Sequence, residues 1–577
     1  MFKRTSLFDT RLRVVSSLML VLVAAIVVKL FILQVVQHEY YTAMAMDTHE
    51  IYKMLYPRRG TVYFQDARSG REYPAAINRA YYLIYAVPRE IERSEIASTT
   101  DKLAAILGYD EREKELLTQK LLKENDPYEP IQRKVSDETA DRIKAAGLKG
   151  VYLVNQDYRY YPEKESGAHV LGFTSFDDSG ALRGRYGAEG YWEDVLAGKG
   201  GYMTGERSAR GSWISLAGRT LRSAEDGADI VLTIDRTLQY KACQRLRRGF
   251  QEFQVRSAAL ILMDVNSGAI RAMCSMPDYD PNEYAEVEDV SVFNNTSIFT
   301  PYEPGSVFKP LTMAAALDLG LVTPDTEFTD PGSRRIDGFT IHNALNKKYG
   351  RATMTKVLEN SINTGMIWVQ EQIGRERFKE YVERFGFGDK AGISLDTEVG
   401  GNISSLDKAG QIYGAVGSFG QGLTVTPLQL VTAYAALAND GQLPKPRIVE
   451  MIRYPDGRIE RTEPSIVGTV ISSRADKLIT GMLVSVVDKT YSFTARMRDY
   501  YAAGKTGTAQ IPGRGGYTDE TNHTFLGYAP ASNPKFVMLV KYEAPKRAWA
   551  ESTTAPVFRE VMEFALEYYG VPGDRKQ

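Results

Sequence analysis

Three short patterns in this chain combine hydroxyl, amine and amide side chains at spacings that could do chemistry. In chain order they are Ser306-Val307-Phe308-Lys309, Ser361-Ile362-Asn363 and Lys505-Thr506-Gly507-Thr508. A serine hydroxyl is a poor nucleophile until a neighbouring base takes its proton. Lysine can be that base only when burial and nearby cations bring its pKa well below the free value. The patterns therefore indicate covalent catalysis by a serine, with a lysine as its base.

The first pattern is short enough to recur, and context separates its copies. Ser306 precedes an apolar run at residues 307–319 that predicts a helix, whereas the matches that begin at Ser405 and Ser532 lie in loop-like sequence. Residues three apart near a helix start share a face, so the Lys309 amine can reach the Ser306 hydroxyl. A helix amino terminus would also favour a developing oxyanion. A helix-capping serine beside a surface lysine is the alternative interpretation of this motif alone.

The other two patterns fit substrate binding. Ser361 and Asn363 follow a predicted short helix, and helix-terminal polar residues are the alternative interpretation. The segment YYAAGKTGTAQ around Lys505 is strand-like, and its glycines would let a substrate backbone lie close alongside. Lysine and threonine there would offer a positive charge and hydroxyls to a carboxylate. A phosphate-binding loop is disfavoured because the first glycine of that motif is missing.

The three motifs need a folded domain to bring them together, and the sequence from about residue 227 onward predicts such a domain. Periodicity and turn residues predict strands at 228–235, 523–530 and 535–545, helices at 237–253, 428–441 and 557–569, and a hairpin at 257–277. Strands at both ends with helices between them indicate an α+β domain, in which one antiparallel sheet is covered by helices.

The preceding residues predict a different kind of region. Between about 40 and 225, a strand is expected at 80–88 and amphipathic helices at 91–107 and 111–123. Residues 167–201 are crowded with glycine, aspartate and serine, and we expect an ordered loop there.

The amino terminus predicts a membrane anchor. Residues 14–36 are almost entirely apolar, and the segment is long enough to cross a bilayer as a helix. Basic residues in the tail at 1–13 place that tail in the cytoplasm by the positive-inside rule. A secretory signal peptide is the alternative, but no small-residue cleavage site follows the apolar run.

Composition excludes several classes of function. The 577 residues carry a formal net charge of -1, which argues against nucleic-acid binding. Cys243 and Cys274 are the only cysteines, too few for a disulfide framework, and no CxxC pair suggests a metal or redox site. Two buried thiols are expected, with a single bridge left open.

The three patterns and several longer segments resemble the class B penicillin-binding proteins over nearly the whole chain. The segments are DIVLTIDRTLQ, MDVNSGAIRAMCSMPDYDPN, YEPGSVFKP, SFGQGLTVTPLQL, AGKTGTAQ, RRGTVY, RYYPEKESGAHVLGF and YGAEGYWEDVLAGKGG. The resemblance implies a cytoplasmic tail at 1–13, a single transmembrane helix at 14–36, an elongated mixed pedestal (dimerisation) domain at 37–225 and a transpeptidase domain at 226–570.

The resemblance also implies a role for each motif residue. Ser306 would attack the carbonyl of a D-Ala-D-Ala stem peptide, with Lys309 as its base. Ser361 would relay a proton to the leaving amine near Lys505. Asn363 would hold the donor amide, while Thr506, Gly507 and Thr508 would bind the terminal carboxylate. Backbone N–H groups of Ser306 and Thr508 would form the oxyanion hole, and β-lactams would acylate Ser306.

The implied surroundings complete the expectation. No cofactor is expected, and no metal, because the region before the second motif offers Asp330, Asp337 and His342 but no cysteine. The expected location is the cytoplasmic membrane, with the carboxy-terminal domains outside. The expected partners are peptidoglycan stem peptides, a polytopic membrane glycosyltransferase and other cell-wall synthesis proteins. The alternatives are a β-lactam-hydrolysing or DD-carboxypeptidase enzyme, and a non-catalytic membrane scaffold or sensor.

Overall fold

A computed structural model of the chain describes residues 50–55, 57–123, 126, 128–177, 182–206 and 220–575, together with 19, 20, 22 and 23. The predicted tail at 1–13 and, apart from those four residues, the predicted anchor at 14–36 lie outside this part. In the described part, no helix has the length and apolarity needed to cross a bilayer. The chain divides into two compact units, Met1–Arg58 with Gly198–Asp226, and Arg59–Ala197 with Gly227–Gln577.

The first half of the described chain mixes short strands and helices. In order, its elements are β1 (Glu50–Leu55), β2 (Val62–Asp66), β3 (Arg71–Ala86), α1 (Ile96–Leu107), α2 (Glu111–Leu121), β4 (Glu129–Val135), α3 (Asp137–Ala146), β5 (Val151–Tyr160), α4 (Ala168–Leu171), β6 (Phe173–Phe176), β7 (Leu182–Arg185), α5 (Gly187–Tyr191), α6 (Glu193–Leu196), β8 (Gly201–Glu206) and β9 (Thr220–Arg222). The strand expected at 80–88 is the end of β3, and the two expected helices are α1 and α2.

The second half contains the elements that carry the three motifs. They are β10 (Asp229–Asp235), α7 (Arg236–Glu252), β11 (Ser257–Asp264), β12 (Ile270–Met276), α8 (Thr296–Phe299), α9 (Lys309–Asp318), β13 (Glu327–Asp330), β14 (Ser333–Ile336), β15 (Phe339–His342), β16 (Gly350–Thr353), α10 (Met354–Glu359), α11 (Asn363–Ile373), α12 (Arg375–Arg384), α13 (Gln411–Gly417), α14 (Pro427–Ala436), β17 (Gln442–Pro444), β18 (Val449–Arg453), β19 (Ile459–Arg461), β20 (Ile466–Thr469), α15 (Ser473–Lys489), β21 (Ala503–Gly513), β22 (Gly516–Ala529), β23 (Phe536–Glu543) and α16 (Thr554–Tyr568).

A five-stranded antiparallel sheet lies at the centre of the larger unit, in the order β12–β11–β23–β22–β21. Its strands are apolar on both faces because helices cover both. Leu260 and Leu262 of β11 pack with α7 and α16, whereas Ile261 and Met263 belong to the core on the other side, which includes α14. The predicted α+β architecture, an antiparallel sheet covered by helices, is confirmed.

A second sheet joins the two halves of the chain within the larger unit. Its order is β19–β18–β10–β2–β3–β4, and β5 also pairs with β3. The contact between β2 and β10 is parallel, and it joins residues near 62 to residues near 230. The first strand of the predicted transpeptidase region is therefore hydrogen-bonded to a strand of the predicted pedestal.

The smaller unit contains one antiparallel sheet. Strand β8 is central, with β1 on one side and β9 on the other.

The expectation of a loop at 167–201 is wrong, because this segment forms α4 to α6 and the hairpin of β6 and β7. A buried ion cluster holds this segment in place. Glu189, fully buried, lies 2.6 Å from both the Arg59 and the Arg159 guanidinium groups. Burial opposes ionisation of Glu189, but the two arginines outweigh it and lower the pKa of its carboxyl group. Glycine-rich composition cannot reveal contacts with residues so distant in sequence.

The two cysteines form a disulfide between α7 and β12, Cys243 to Cys274. The expectation of two free thiols is therefore corrected, and the alternative of a single bridge holds. Both residues are buried, and the bridge ties the helix on one face of the central sheet to its edge strand.

Candidate active site

The first motif lies on a tight turn that leads into a buried helix. A 3-10 helix at Gly305–Phe308 runs directly into α9, so Ser306 stands at the head of α9 and Lys309 at its first residue. The Gly305 φ of +59° and the 2.7 Å between a Cβ added there and the Ala509 Cβ both require glycine. The Tyr434 hydroxyl on α14 donates to the Val307 carbonyl at 2.6 Å. Ser306 is therefore held rigidly, and it remains partly exposed.

Ser361 connects the nucleophile candidate to the base candidate. Its Oγ lies 3.0 Å from Ser306 Oγ and 2.9 Å from Lys309 Nζ. Lys309 Nζ also donates to the Ser361 carbonyl at 2.6 Å and to Asn363 Oδ1 at 2.8 Å. We expected Lys309 to reach Ser306 directly across one turn, but the hydrogen bonds of its amine run to the second motif instead.

Both motif lysines are buried, and burial sets their charge. It lowers the pKa of Lys309 well below the usual value, and the charge of Lys505 lowers it further. Burial also lowers the pKa of Lys505, to about 8, against the opposing effect of Glu551. Lys309 can therefore be neutral, and able to accept a proton, while Lys505 is still charged.

The second motif is held in a strained conformation between α10 and α11. Ser361 has a φ of +54°, an uncommon value for a residue with a side chain. Next to it, the Asn363 amide nitrogen donates to the His342 carbonyl at 2.9 Å. Thr364 Oγ1 donates to buried Asp330 at 2.5 Å. The strain is consistent with a functional position whose surroundings fix its geometry.

Two of the three residues considered as metal ligands have structural partners. The Asp330 carboxylate accepts hydrogen bonds from the Thr364 and Asn343 side chains and from two backbone N–H groups. Asp337 accepts from the Ile412 N–H at 2.9 Å. Across the described residues, no cluster of three or more histidine, cysteine, aspartate or glutamate side chains is arranged to hold a metal ion.

The third motif lies on β21, the edge strand of the central sheet, directly beside the Ser306 turn. A Cβ added to Gly507 would lie 3.1 Å from Val307 Cγ1 and 3.2 Å from the Pro304 carbonyl oxygen. This glycine therefore lets the strand pack against the Ser306 turn, in addition to any approach of a substrate. Lys505 and Thr506 are buried, and Thr508 is partly exposed.

Sequence reasoning missed three residues that complete the site. The Tyr434 hydroxyl donates to the Val307 carbonyl in the Ser306 turn, and the Gly420 carbonyl accepts from the Gly305 N–H at 2.9 Å. Glu551 accepts from Thr506 Oγ1 at 3.2 Å. Gly420 lies in a segment that the family resemblance did include. Glu551 and Tyr434 belong to no short motif, and only the fold brings them to the site.

The fold and the site define a class: a serine enzyme in which a buried lysine and a second serine surround a hydroxyl at the head of a helix. The family model described as "Penicillin binding protein transpeptidase domain" matches residues 258–563, and "Penicillin-binding Protein dimerisation domain" matches residues 54–232. The chain belongs to the penicillin-binding protein transpeptidase family, and it is a class B D,D-transpeptidase of cell-wall synthesis.

Similar proteins span most of the chain. Stage V sporulation protein D of Bacillus subtilis is 33% identical over 553 residues, which cover 94% of this chain and 83% of the relative. The probable peptidoglycan D,D-transpeptidase PbpC of Pseudomonas aeruginosa is 31% identical, covering 87% and 86%. A crystal structure of penicillin binding protein 3 from Mycobacterium tuberculosis, complexed with aztreonam, matches with a TM-score of 0.67 and 25% identity, covering 91% and 98%.

Proposed function

We propose that Ser306 is the nucleophile of this transpeptidase and that it forms an acyl-enzyme with the D-Ala-D-Ala end of a stem peptide. The Ser306 hydroxyl attacks the carbonyl carbon of the penultimate D-alanine. Its proton passes to neutral Lys309, and Ser361 lies at hydrogen-bond distance from both groups. The oxyanion that forms is stabilised by the backbone N–H groups of Ser306 and Thr508.

Collapse of the tetrahedral intermediate breaks the bond to the terminal D-alanine. The proton held by Lys309 returns through Ser361 to the leaving amine, near Lys505. An amine from a second stem peptide then attacks the ester carbonyl and forms the new amide bond. The ester C–O bond breaks, and the proton lost by the amine passes through the same Lys309–Ser361 pair to the Ser306 oxygen, which restores the hydroxyl.

The remaining motif residues bind the donor peptide in this proposal. Lys505, Thr506, Gly507 and Thr508 form the strand edge along which its terminal carboxylate lies. Asn363 binds the donor amide, which requires its Nδ2 to exchange the His342 carbonyl for a carbonyl of the substrate. The observation that carries the proposal is the pair of contacts made by Ser361 Oγ, one with Ser306 Oγ and one with Lys309 Nζ.

Replacing Ser306 with alanine tests the proposal. The full-length Ser306→Ala chain is expected to lose covalent labelling by a fluorescent penicillin while Ser405→Ala and Ser532→Ala chains keep it. Persistent labelling of the Ser306→Ala chain would assign the nucleophile elsewhere.

The hydrolase alternative is not favoured, because several similar proteins are named peptidoglycan D,D-transpeptidases and both family models match. The enzyme is expected to retain one penicilloyl group per chain over hours and to join a D-Ala-D-Ala donor to an added amine. Rapid turnover of the β-lactam would instead favour hydrolysis.

We further propose that residues 14–36 anchor the protein in the cytoplasmic membrane, with the domains at 37–225 and 226–570 outside and residues 1–13 inside. The support is the apolar sequence with basic residues before it. A reporter that is active only outside the cytoplasm is expected to work when fused after residue 577 and to fail when fused after residue 13. The reverse pattern would exclude this orientation.

The proposed protein partner is a polytopic membrane glycosyltransferase that makes the glycan strands this enzyme cross-links. The support is the family resemblance alone. Photo-crosslinking in membranes from a site in residues 14–36 is expected to capture such a protein, and capture of lipid alone would count against it.

A further inference from the structure

A short turn after β23 lies against the third motif and contacts both of its hydroxyl groups. In this turn, Ala550–Ser552, the Ala550 N–H donates to Thr508 Oγ1 at 3.3 Å. The Glu551 carboxylate accepts from Thr506 Oγ1 at 3.2 Å. The turn is itself held in place, because the Thr494 hydroxyl donates to the Glu551 carbonyl at 2.7 Å.

These contacts give the two threonines different capacities. A hydroxyl group has one proton to donate. Thr506 gives its proton to Glu551, so it has none left for a substrate carboxylate. Thr508 accepts from the Ala550 N–H, which leaves its own proton available. Of the two hydroxyls, only that of Thr508 can donate to a carboxylate while these contacts persist.

The second oxygen of Glu551 places a charge beside Lys505. Oε2 of Glu551 is buried and has no hydrogen-bond partner among the described residues. A carboxylate oxygen that accepts no hydrogen bond leaves its negative charge to act on nearby groups. Glu551 raises the pKa of Lys505, which burial alone would lower further.

We propose that Glu551 is a positioning residue for transpeptidation, which keeps Lys505 cationic and directs carboxylate binding to Lys505 and Thr508 and away from Thr506. This proposal rests on the proposed function of the site. Three ionisable groups then act on one another in sequence. Glu551 supports the positive charge on Lys505, and that positive charge helps to keep Lys309 neutral. Glu551 on the turn and Lys309 on α9 are the ionisable neighbours of Lys505 in this series.

The pH dependence of acylation distinguishes this role from a merely structural one. Without the negative charge, the pKa of Lys505 falls, so its positive charge is lost at lower pH. Lys309 loses its proton at lower pH, where Lys505 is still charged, so the acidic limb of the profile depends on the same Lys505 charge in both proteins. In full-length Glu551→Gln, the alkaline limb of the profile for a fluorescent penicillin is therefore expected to move to lower pH, while the acidic limb stays in place. Glu551→Asp, which keeps the charge, is expected to restore the profile.

A matched pair of isosteric variants tests the assignment of the hydroxyls. Thr508→Val is expected to reduce the second-order rate of acylation by about tenfold more than Thr506→Val does, since one hydrogen bond to a charged group is lost. An equal or larger loss in Thr506→Val, or a Glu551→Gln profile that is lowered without a shift of its alkaline limb, would overturn the proposal. Labelling of Ser306→Ala in the same assay would instead overturn the underlying function.

Discussion

Lys309 and Lys505 have the same side chain and similar burial, yet the site needs them in opposite charge states. The difference comes from their neighbours. Lys309 is surrounded by neutral acceptors on Ser361 and Asn363 and lies near a cation. Lys505 has a carboxylate nearby in Glu551. One lysine can therefore act as a base while the other provides positive charge for a carboxylate.

Removing the base should slow acylation far more than it affects folding. Lys309→Met keeps the length of the side chain and removes an amine that is costly to bury. The acylation rate is expected to fall by about 10² to 10⁴, the usual contribution of general base catalysis. Rates with a fluorescent penicillin provide the measurement, and an unchanged midpoint of thermal unfolding is the control. If acylation stayed within a few-fold of wild type, Lys309 would be a structural residue.

The wild-type rate of acylation should follow a bell-shaped curve with pH. Activity rises as Lys309 loses its proton, which happens below the usual range for lysine because its pKa is lowered. Activity falls as Lys505, with a pKa of about 8, loses its charge. Acylation rates measured from pH 5 to pH 10 check this, and a rate that still climbed beyond pH 9 would argue against a role for charged Lys505.

At this scale the three motifs were visible in the sequence because their residues are neighbours along the chain. Glu551 was not, since nothing near it in sequence resembles a site and its partner Thr506 is 45 residues away. The route of the Lys309 hydrogen bonds was also missed. Spacing places Lys309 near Ser306, but only the fold shows that Ser361 lies between them.

Among the elements, the edge strand β21 and the Ser306 turn at Gly305–Phe308 must approach closely for the site to form. Gly507→Ala would push the strand away from Val307 and Pro304 by a few tenths of an ångström. The substitution is expected to slow acylation several-fold and to destabilise the fold by about 1 kcal/mol. Penicillin labelling and urea unfolding measure the two effects.

A matched control for this substitution is Gly468→Ala on the exposed strand β20. An added Cβ there has nothing within 4 Å. We expect no change in acylation or unfolding. Equal effects at both positions would show that the close approach at Gly507 is not what matters.

The disulfide joins elements that both contribute to the core around the central sheet. It closes a loop of 31 residues, and loss of the bridge is expected to cost about 3–4 kcal/mol by restoring freedom to the unfolded chain. Urea unfolding of Cys243→Ser with Cys274→Ser, compared with the oxidised wild type, measures this. Reductant should lower the stability of the wild type alone, and an equal effect on the double variant would contradict the account.

Elements with strong local patterns were predicted well, whereas those that depend on distant partners were not. Strand β11 is nearly continuous in apolar residues. Helix α14 begins with a capping box between Thr426 and Gln429 and has a proline, Pro427, as its first residue. The segment at 167–201 lacks such patterns, and contacts with Arg59 and Arg159 organise it. Composition alone made it look like a loop.

On the scale of the larger unit, one sheet joins sequence regions that family models treat separately. Strand β10 pairs with β2 on one side and with β18, at 449–453, on the other. Within residues 54–232, an ion cluster adds to this, because Glu189 binds arginines from β5 and from the residues that precede β2. The boundary near 225 is therefore a division of sequence, and the contacts cross it. Sequence patterns could identify both regions, but they could not show that these share a sheet.

Glu189→Gln tests the importance of this cluster. The variant leaves two buried arginines without their carboxylate, which is expected to destabilise the unit by about 3–5 kcal/mol. Thermal unfolding measures the loss, and Glu288→Gln at an exposed position is the control. A drop no larger than that of the control would mean that the cluster contributes little to stability.

In the proposed mechanism a single hydroxyl, that of Ser306, carries the acyl group. Peptide mapping by mass spectrometry of the full-length wild-type chain after reaction with benzylpenicillin tests this most directly. The predicted result is one penicilloyl adduct, on the peptide that contains Ser306 and on that residue when fragmented. An adduct on Ser361, Ser405 or Ser532 in place of Ser306 would contradict it.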